Sequence, residues 1–206
     1  MKKLKKEHLA DLRMKMKVMS PSEMMTFVGG KRYEFDRMGN LIGTEDPQQG
    51  QKDNVIIIGD QQFQLDGDLG DISQESGVSF SGQNVSSGLF MFLADNTDVE
   101  WAYGFNENKE GGALMTSHDK NSVRLKSGFF SGYDSCVHNH AQTMSGLGYP
   151  GYQVEEYNDL PSSSDIKTTK HYGIKNNYVY NEISGKWKKY DEYTQTQEDY
   201  YDKEMK

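Results

Sequence analysis

Two histidines one residue apart, in Val137-His138-Asn139-His140, are the first place in this 206-residue chain where side chains can act together. Successive side chains on a β-strand alternate between faces, so an i, i+2 pair points to one side and its two imidazoles can share an ion. A catalytic zinc takes three protein ligands and keeps a fourth position for water, so a further donor has to come from elsewhere. Leu160-Pro161-Ser162-Ser163-Ser164-Asp165-Ile166 offers one. Its Ser-x-x-Asp spacing predicts a helix start, where carboxylates are favoured, with the helix running toward Tyr172 and stopped by Gly173. Asp159 is the nearby carboxylate that competes for this third position. The single cysteine, Cys136, excludes an internal disulfide framework and any multi-cysteine zinc cluster, so a metal would be held by His and carboxylates.

An upstream glutamate, then His-x-His, then Ser-x-x-Asp resemble in this order the JAB/JAMM (MPN+) zinc metallopeptidases, and more narrowly the JAB-like toxin group. The likeness covers roughly residues 89–190, and its specific part is those few positions. It implies an α+β fold in which few helices accompany a mixed β-sheet, with a JAB/MPN-like, cytidine-deaminase-like core. It also implies one zinc ion bound by His138, His140 and Asp165, with the Ser162 hydroxyl stabilising an oxyanion. The family's water-activating glutamate lies on a strand before the histidines, and Glu100 in Asp98-Val99-Glu100-Trp101 is the best match. The implied activity is hydrolysis of a peptide or isopeptide bond in a peptide or protein substrate, by a secreted toxin that an immunity protein would accompany. Two features depart from the family pattern. Ala141 stands where many members have proline, and 21 residues, 141–161, separate His140 from Ser162. The insertion contains Gly146, Gly148, Tyr149, Pro150 and Gly151 and is expected to form a loop beside the metal. Glu107 and Glu110 also lie upstream, in a Gly- and Asn-rich turn that is a poor base for precise positioning.

Each of these residues has a plainer reading. His-x-His alone is often two unrelated surface residues, Ser162 can be a helix N-cap, a role open to Ser163 and Ser164 too, and Glu100 an ordinary strand residue. Cys136 shares the parity of the histidines but reads as a small core residue. His171 is expected on the exposed face of its helix, and His8 and His118 have no partner identifiable in the sequence. His-Asn-His is not an HNH nuclease signature, because that motif is dispersed over a ββα unit in a basic setting.

The elements that must position these groups are read from periodicity and turn residues. Strands are expected at Tyr33-Glu34-Phe35, Leu41-Ile42, Val55 to Ile58, Leu89 to Ala94, Val99 to Phe105, Ala113 to Thr116 and Ser122 to Phe130. Asn177 to Tyr180 and Lys186 to Tyr190 read as a hairpin turning at Ser184-Gly185. Residues 66–88, rich in Gly, Ser, Asp and Gln, read as a loop or flexible insertion. The resulting organisation is a β- and loop-rich extension at 31–88, a metallopeptidase-like core at 89–193 and a polar tail at 194–206.

Composition bounds the partners. The net charge is −8, but residues 1–30 carry seven Lys/Arg against three Asp/Glu, leaving 16 basic and 28 acidic residues over 31–206. A body with that balance repels phosphate backbones and argues against nucleic acid. No apolar run reaches the roughly 18 residues of a membrane span, so membrane insertion is not expected. The first 30 residues hold six of the eleven methionines and end in Phe27-Val28-Gly29-Gly30. They lack the continuous apolar segment of a secretory signal. They resemble instead a double-glycine leader of the kind that peptidase-containing ABC exporters cut, which implies secretion after cleavage behind Gly30. An amphipathic N-terminal helix with a Gly-Gly stop fits the same residues, and two other readings of the protein stay open, the first resting on that helix and the second on loss of the metal. One is an intracellular, cytoplasmic processing peptidase; the other is a metal-free secreted binding protein on the same scaffold.

Overall fold

The computed structural model describes residues 30–46, 54–124, 128–141 and 160–196. Residues 1–29 of the expected leader, with His8, lie outside them, as do 142–159 of the insertion, with Asp159, and 197–206 of the tail. Four strands, β1 (Arg32–Phe35), β2 (Leu41–Glu45), β3 (Asn54–Ile58) and β4 (Gln61–Leu65), form one sheet in the order β2-β1-β3-β4. The second sheet has seven strands: β5 (Ile72–Ser73), β6 (Val78–Gly82), β7 (Ala102–Phe105), β8 (Gly112–Thr116), β9 (Ser135–Asn139), β10 (Asn176–Asn181) and β11 (Lys186–Tyr190). Their order is β11-β10-β9-β7-β8-β6-β5, which puts β9 and its histidines in mid-sheet. Two helices complete the described residues, α1 (Ser87–Asn96) and α2 (Ser163–Tyr172). The fold is thus α+β with two mixed sheets, as the family resemblance implies.

The two faces of the large sheet do different work. Tyr103, Leu114, Val137 and Tyr180 point into the main core, where they meet α1 and the small sheet through Phe35, Phe80, Phe90 and Trp101. Trp101 is fully buried, with its ring 6.3 Å from Phe35 and 6.4 Å from Phe80, and its indole N–H donates to Thr97 Oγ1. The opposite face carries a smaller apolar cluster of Ala102, Ala113, Met115, Phe130, Cys136 and Ile174. Strand alternation puts His138 and His140 on this second face, beyond Cys136. Gly104 permits that packing, because a Cβ there would lie 2.3 Å from the Phe130 ring.

Three sequence expectations are corrected. Residues 89–94 form helix, not strand. Ser86 accepts the Leu89 N–H at 3.2 Å as the N-cap, and Leu89, Phe90, Leu93 and Ala94 are buried at the i, i+1, i+4, i+5 spacing of a helical face. The stretch 66–88 is not simply loop, since it supplies β5 and β6, and β6 pairs with β8 along its length. Its small residues meet a steric need: Gly77, at φ 121°, passes so close to Thr116 that a Cβ would sit 2.0 Å from that carbonyl oxygen. No strand forms at 122–130 among the described residues; 128–132 turn instead and deliver Phe130 to the smaller cluster. The strands expected around Tyr33, Leu41, Val55, Tyr103 and Ala113, the β10–β11 hairpin and the helix ending at Gly173 are all present.

The helical reading of 87–96 separates neighbours that a strand would treat alike. Leu93→Ala should cost about 2–5 kcal/mol in urea unfolding, the usual range for emptying a buried leucine site. Met91→Ala, on the partly buried side of α1, should cost clearly less. Equal costs at 91 and 93 would contradict the assigned face.

Candidate metal centre

The pleat of β9 turns His138 and His140 to one side and Val137 and Asn139 to the other. Opposite them, α2 begins at Ser162, which caps it. The Asp165 N–H donates to Ser162 Oγ at 3.2 Å, while the Ser162 N–H and hydroxyl donate back to Asp165 Oδ2 at 2.7 and 2.8 Å. This is a reciprocal capping box with aspartate in the glutamate position, so the N-cap reading of Ser162 is correct in structural terms. Its result is that one carboxylate oxygen is held at a defined point facing the histidines.

Three atoms close a triangle there. His138 Nε2 lies 3.2 Å from His140 Nε2 and 3.3 Å from Asp165 Oδ2, and His140 Nε2 lies 3.6 Å from the same oxygen. Zinc with N and O ligands at about 2.0–2.1 Å in a tetrahedron has ligand-to-ligand edges of roughly 3.3 Å. The observed edges bracket that value, and two imidazoles with a carboxylate are a donor set suited to zinc. The group therefore fits a single metal ion, with His138, His140 and Asp165 as the residues able to hold it.

The electrostatics agree with the geometry. Burial alone would raise Asp165, but the His138 charge and the hydrogen bonds from His138 and His140 outweigh it and hold the carboxyl far below the usual range. Burial would lower His138, yet Asp165 and Glu100 raise it. Tyr190, at the end of β11, sets its ring edge-on to His138 at 6.0 Å.

Glu100 sits two residues before the β7 ladder begins, where the Ala102–His138 register places it beside the histidines on the same face. It is 6 % exposed. Burial lifts its carboxyl to about 8, His138 pulls it back, and Asp165, Asp119 and Glu182 push it further up. A carboxyl in that range is suited to proton transfer near neutrality, and a nearby cation would favour its ionised form. Glu107 and Glu110 are exposed beyond the other end of β7, where Phe105 pairs with Ser135, and Glu107 accepts a hydrogen bond from Tyr178. They are away from the histidines.

The remaining sequence readings divide. Cys136 is a buried free thiol whose pKa burial drives up to about 12, consistent with a core role. His171 is exposed, as expected. His118 does have a partner: its Nδ1 lies 2.9 Å from the Met38 carbonyl. Two polar residues beside the site, Asn139 fully buried and Glu182 partly so, had no reading in the sequence. Burial lifts Glu182 to about 8 although the hydrogen bond from Asn139 opposes the rise. Neither has a local pattern that reveals it, because they meet across 43 positions.

Residues 78–170 match the family model described as JAB-like toxin 1. No curated protein and no solved structure gave a match. The matched residues span β6 to the last turns of α2 and include Glu100, His138, His140, Ser162 and Asp165. The part of the chain that builds the candidate metal centre is thus similar to the JAB-like toxin family.

Proposed function

We propose that this protein is a zinc-dependent hydrolase of peptide or isopeptide bonds, acting as a secreted toxin. The observation that supports it most is the triangle of His138 Nε2, His140 Nε2 and Asp165 Oδ2, sized for one zinc, with Ser162 Oγ 2.8 Å from its carboxylate corner. A zinc bound by these three residues supplies a Lewis acid and lowers the pKa of a water toward neutrality. The work of the chain's own groups follows from their placement. Glu100, ionised beside that cation, accepts the proton of the attacking water and delivers it to the leaving amine. Ser162 turns its hydroxyl from Asp165 to the oxygen on which negative charge develops as the amide carbon becomes tetrahedral. The family match supports a protein or peptide target and an immunity protein as natural partners. No helix among the described residues is long and apolar enough to cross a membrane.

Export is proposed on the N-terminal residues, through a peptidase-containing ABC exporter that cuts after Gly30. Such a cut would leave β1 whole, since the strand starts at Arg32, and the new Lys31 terminal amine could still donate to Asn54 Oδ1, as its N–H now does at 2.6 Å. N-terminal sequencing of protein from culture medium should then begin at Lys31. Extracellular protein that still begins at Met1 would reject leader cleavage.

The purified protein should carry about one zinc per chain, and His138→Ala or His140→Ala should lose most of it. Wild-type zinc content in both variants would overturn the ligand assignment, and metal-free wild type would favour a binding scaffold. Glu100→Gln keeps the side chain's size but cannot take a proton. Its zinc content should stay near one while cleavage of a fluorogenic peptide library falls by about two to four orders of magnitude. Undiminished cleavage would move the base elsewhere.

A further inference from the structure

Glu100 has to be aimed without the help of a regular strand, because the β7 ladder starts only at Ala102. Its backbone is nevertheless held on both sides. Its own N–H donates to the Asp119 carbonyl at 3.0 Å. On the other side, the flanking carbonyl of Val99 and N–H of Trp101 both face the carboxamide of Asn139. The Trp101 N–H donates to Asn139 Oδ1 at 2.7 Å, and Asn139 Nδ2 donates to Val99 O at 3.3 Å. The backbone adds one bond, from the Asn139 N–H to Trp101 O at 3.3 Å. In an extended chain the carbonyl of one residue and the N–H two positions on point to the same side, and a neighbouring strand normally reads them together. Here one side chain takes the place of that neighbour, and the residue it brackets is Glu100.

We propose that Asn139 is the positioning residue for Glu100, and that Glu182 is the group that locks Asn139 in the one orientation able to do this. The second proton of Asn139 Nδ2 goes to Glu182 Oε1 at 2.5 Å. Flipping the amide would turn its carbonyl oxygen toward the Glu182 oxygen and toward Val99 O, opposing acceptor to acceptor. Asn139 is fully buried, so water does not supply substitutes. The alternation of β9 then gives three consecutive residues a shared purpose: His138 and His140 face the metal position, and Asn139, pointing the other way, ties the base's segment to the same strand. A displacement of the base by about 1 Å can lower turnover as much as 100-fold, so this tie has measurable leverage. The proposal rests on Glu100 acting as the base, and its test is chosen to give an answer if that reading fails.

The decisive comparison is Glu182→Ala against Glu182→Gln, because Gln retains an acceptor oxygen for Asn139 and Ala does not. In metal-free protein, the Trp101 amide should exchange with deuterium at least about 10-fold faster in Glu182→Ala, with slow exchange restored in Glu182→Gln. In zinc-loaded protein, Glu182→Ala should keep one zinc and its KM while kcat on a peptide cut by wild type falls roughly 10- to 100-fold, with Glu182→Gln recovering most of it. Asn139→Asp, which replaces both donors by acceptors, should show the larger loss; if it does not fold, the Glu182 pair decides. Unchanged Trp101 exchange in Glu182→Ala would overturn the proposal, and so would a kcat loss accompanied by zinc loss, which would place the effect on the histidines. Faster exchange with no change in kcat would support the tie while overturning its role in aiming the base. Full activity of Glu100→Gln separately marks failure of the base assignment.

Discussion

The pleat of β9 is the constraint on which the site depends. Side chains alternate, so a strand that aims two imidazoles at one point must send the residue between them into the opposite face. At most positions that residue would be apolar, as Val137 is. Asn139 instead commits both N–H donors and its carbonyl oxygen to the Val99–Trp101 segment and Glu182. A buried carboxamide is costly unless every donor and acceptor is satisfied, and here each one is. The histidines' strand and the base's strand are thereby fastened at the point where regular pairing stops.

Charge shows what a cation would relieve among these groups. Within the second face, Asp165 stays ionised because two imidazoles face it, whereas Glu100 is driven upward by burial and by Asp165. Two carboxyls and two imidazoles in a largely dry space cannot all adopt their preferred charge states. A divalent ion at the triangle would relieve this in one step, since it favours neutral imidazoles and ionised carboxylates together. Three donor atoms 3.2–3.6 Å apart around a shared point form a group able to hold one such ion. The stray alternatives are weaker on geometric ground: Glu107 and Glu110 are exposed at the far end of β7, away from the histidines.

How far the sequence reveals all this follows the range of each interaction. The metal triangle was legible because each half is local: a strand period of two aligns His138 with His140, and a capping box sets Asp165 three residues after Ser162. The β10–β11 hairpin was legible for the same reason, with Gly185 at φ 66° in its turn. Helix α1 was not, since burial extends around it. One face meets the large sheet, while Phe92 packs 5.4 Å from Phe63 of β4, so no polar stripe marks a helical period in Leu89 to Ala94. Strand β6 hid behind glycines and serines, of which Gly77, just before the strand, is required by the close approach of Thr116 at the end of β8. Asn139, Glu182 and the backbone of Glu100 meet only through tertiary pairing, which leaves no spacing to read.

The capping box at α2 joins folding and chemistry more tightly than either function requires. A helix N-terminus orients free N–H groups and a positive dipole end, and an N3 carboxylate normally answers them by reaching back to the cap residue. Asp165 does so with Oδ2, the same oxygen that completes the metal triangle. The aim of the third ligand is therefore set by α2 folding at all, with no dedicated support. The Ser162 backbone N–H holds that oxygen at 2.7 Å whatever the side chain does, so the hydroxyl, at 2.8 Å, could turn away from it without shifting the carboxylate. Under the proposed hydrolysis, serine at the cap would serve both ends: its amide keeps the carboxylate in place, and its mobile proton would be available where negative charge develops.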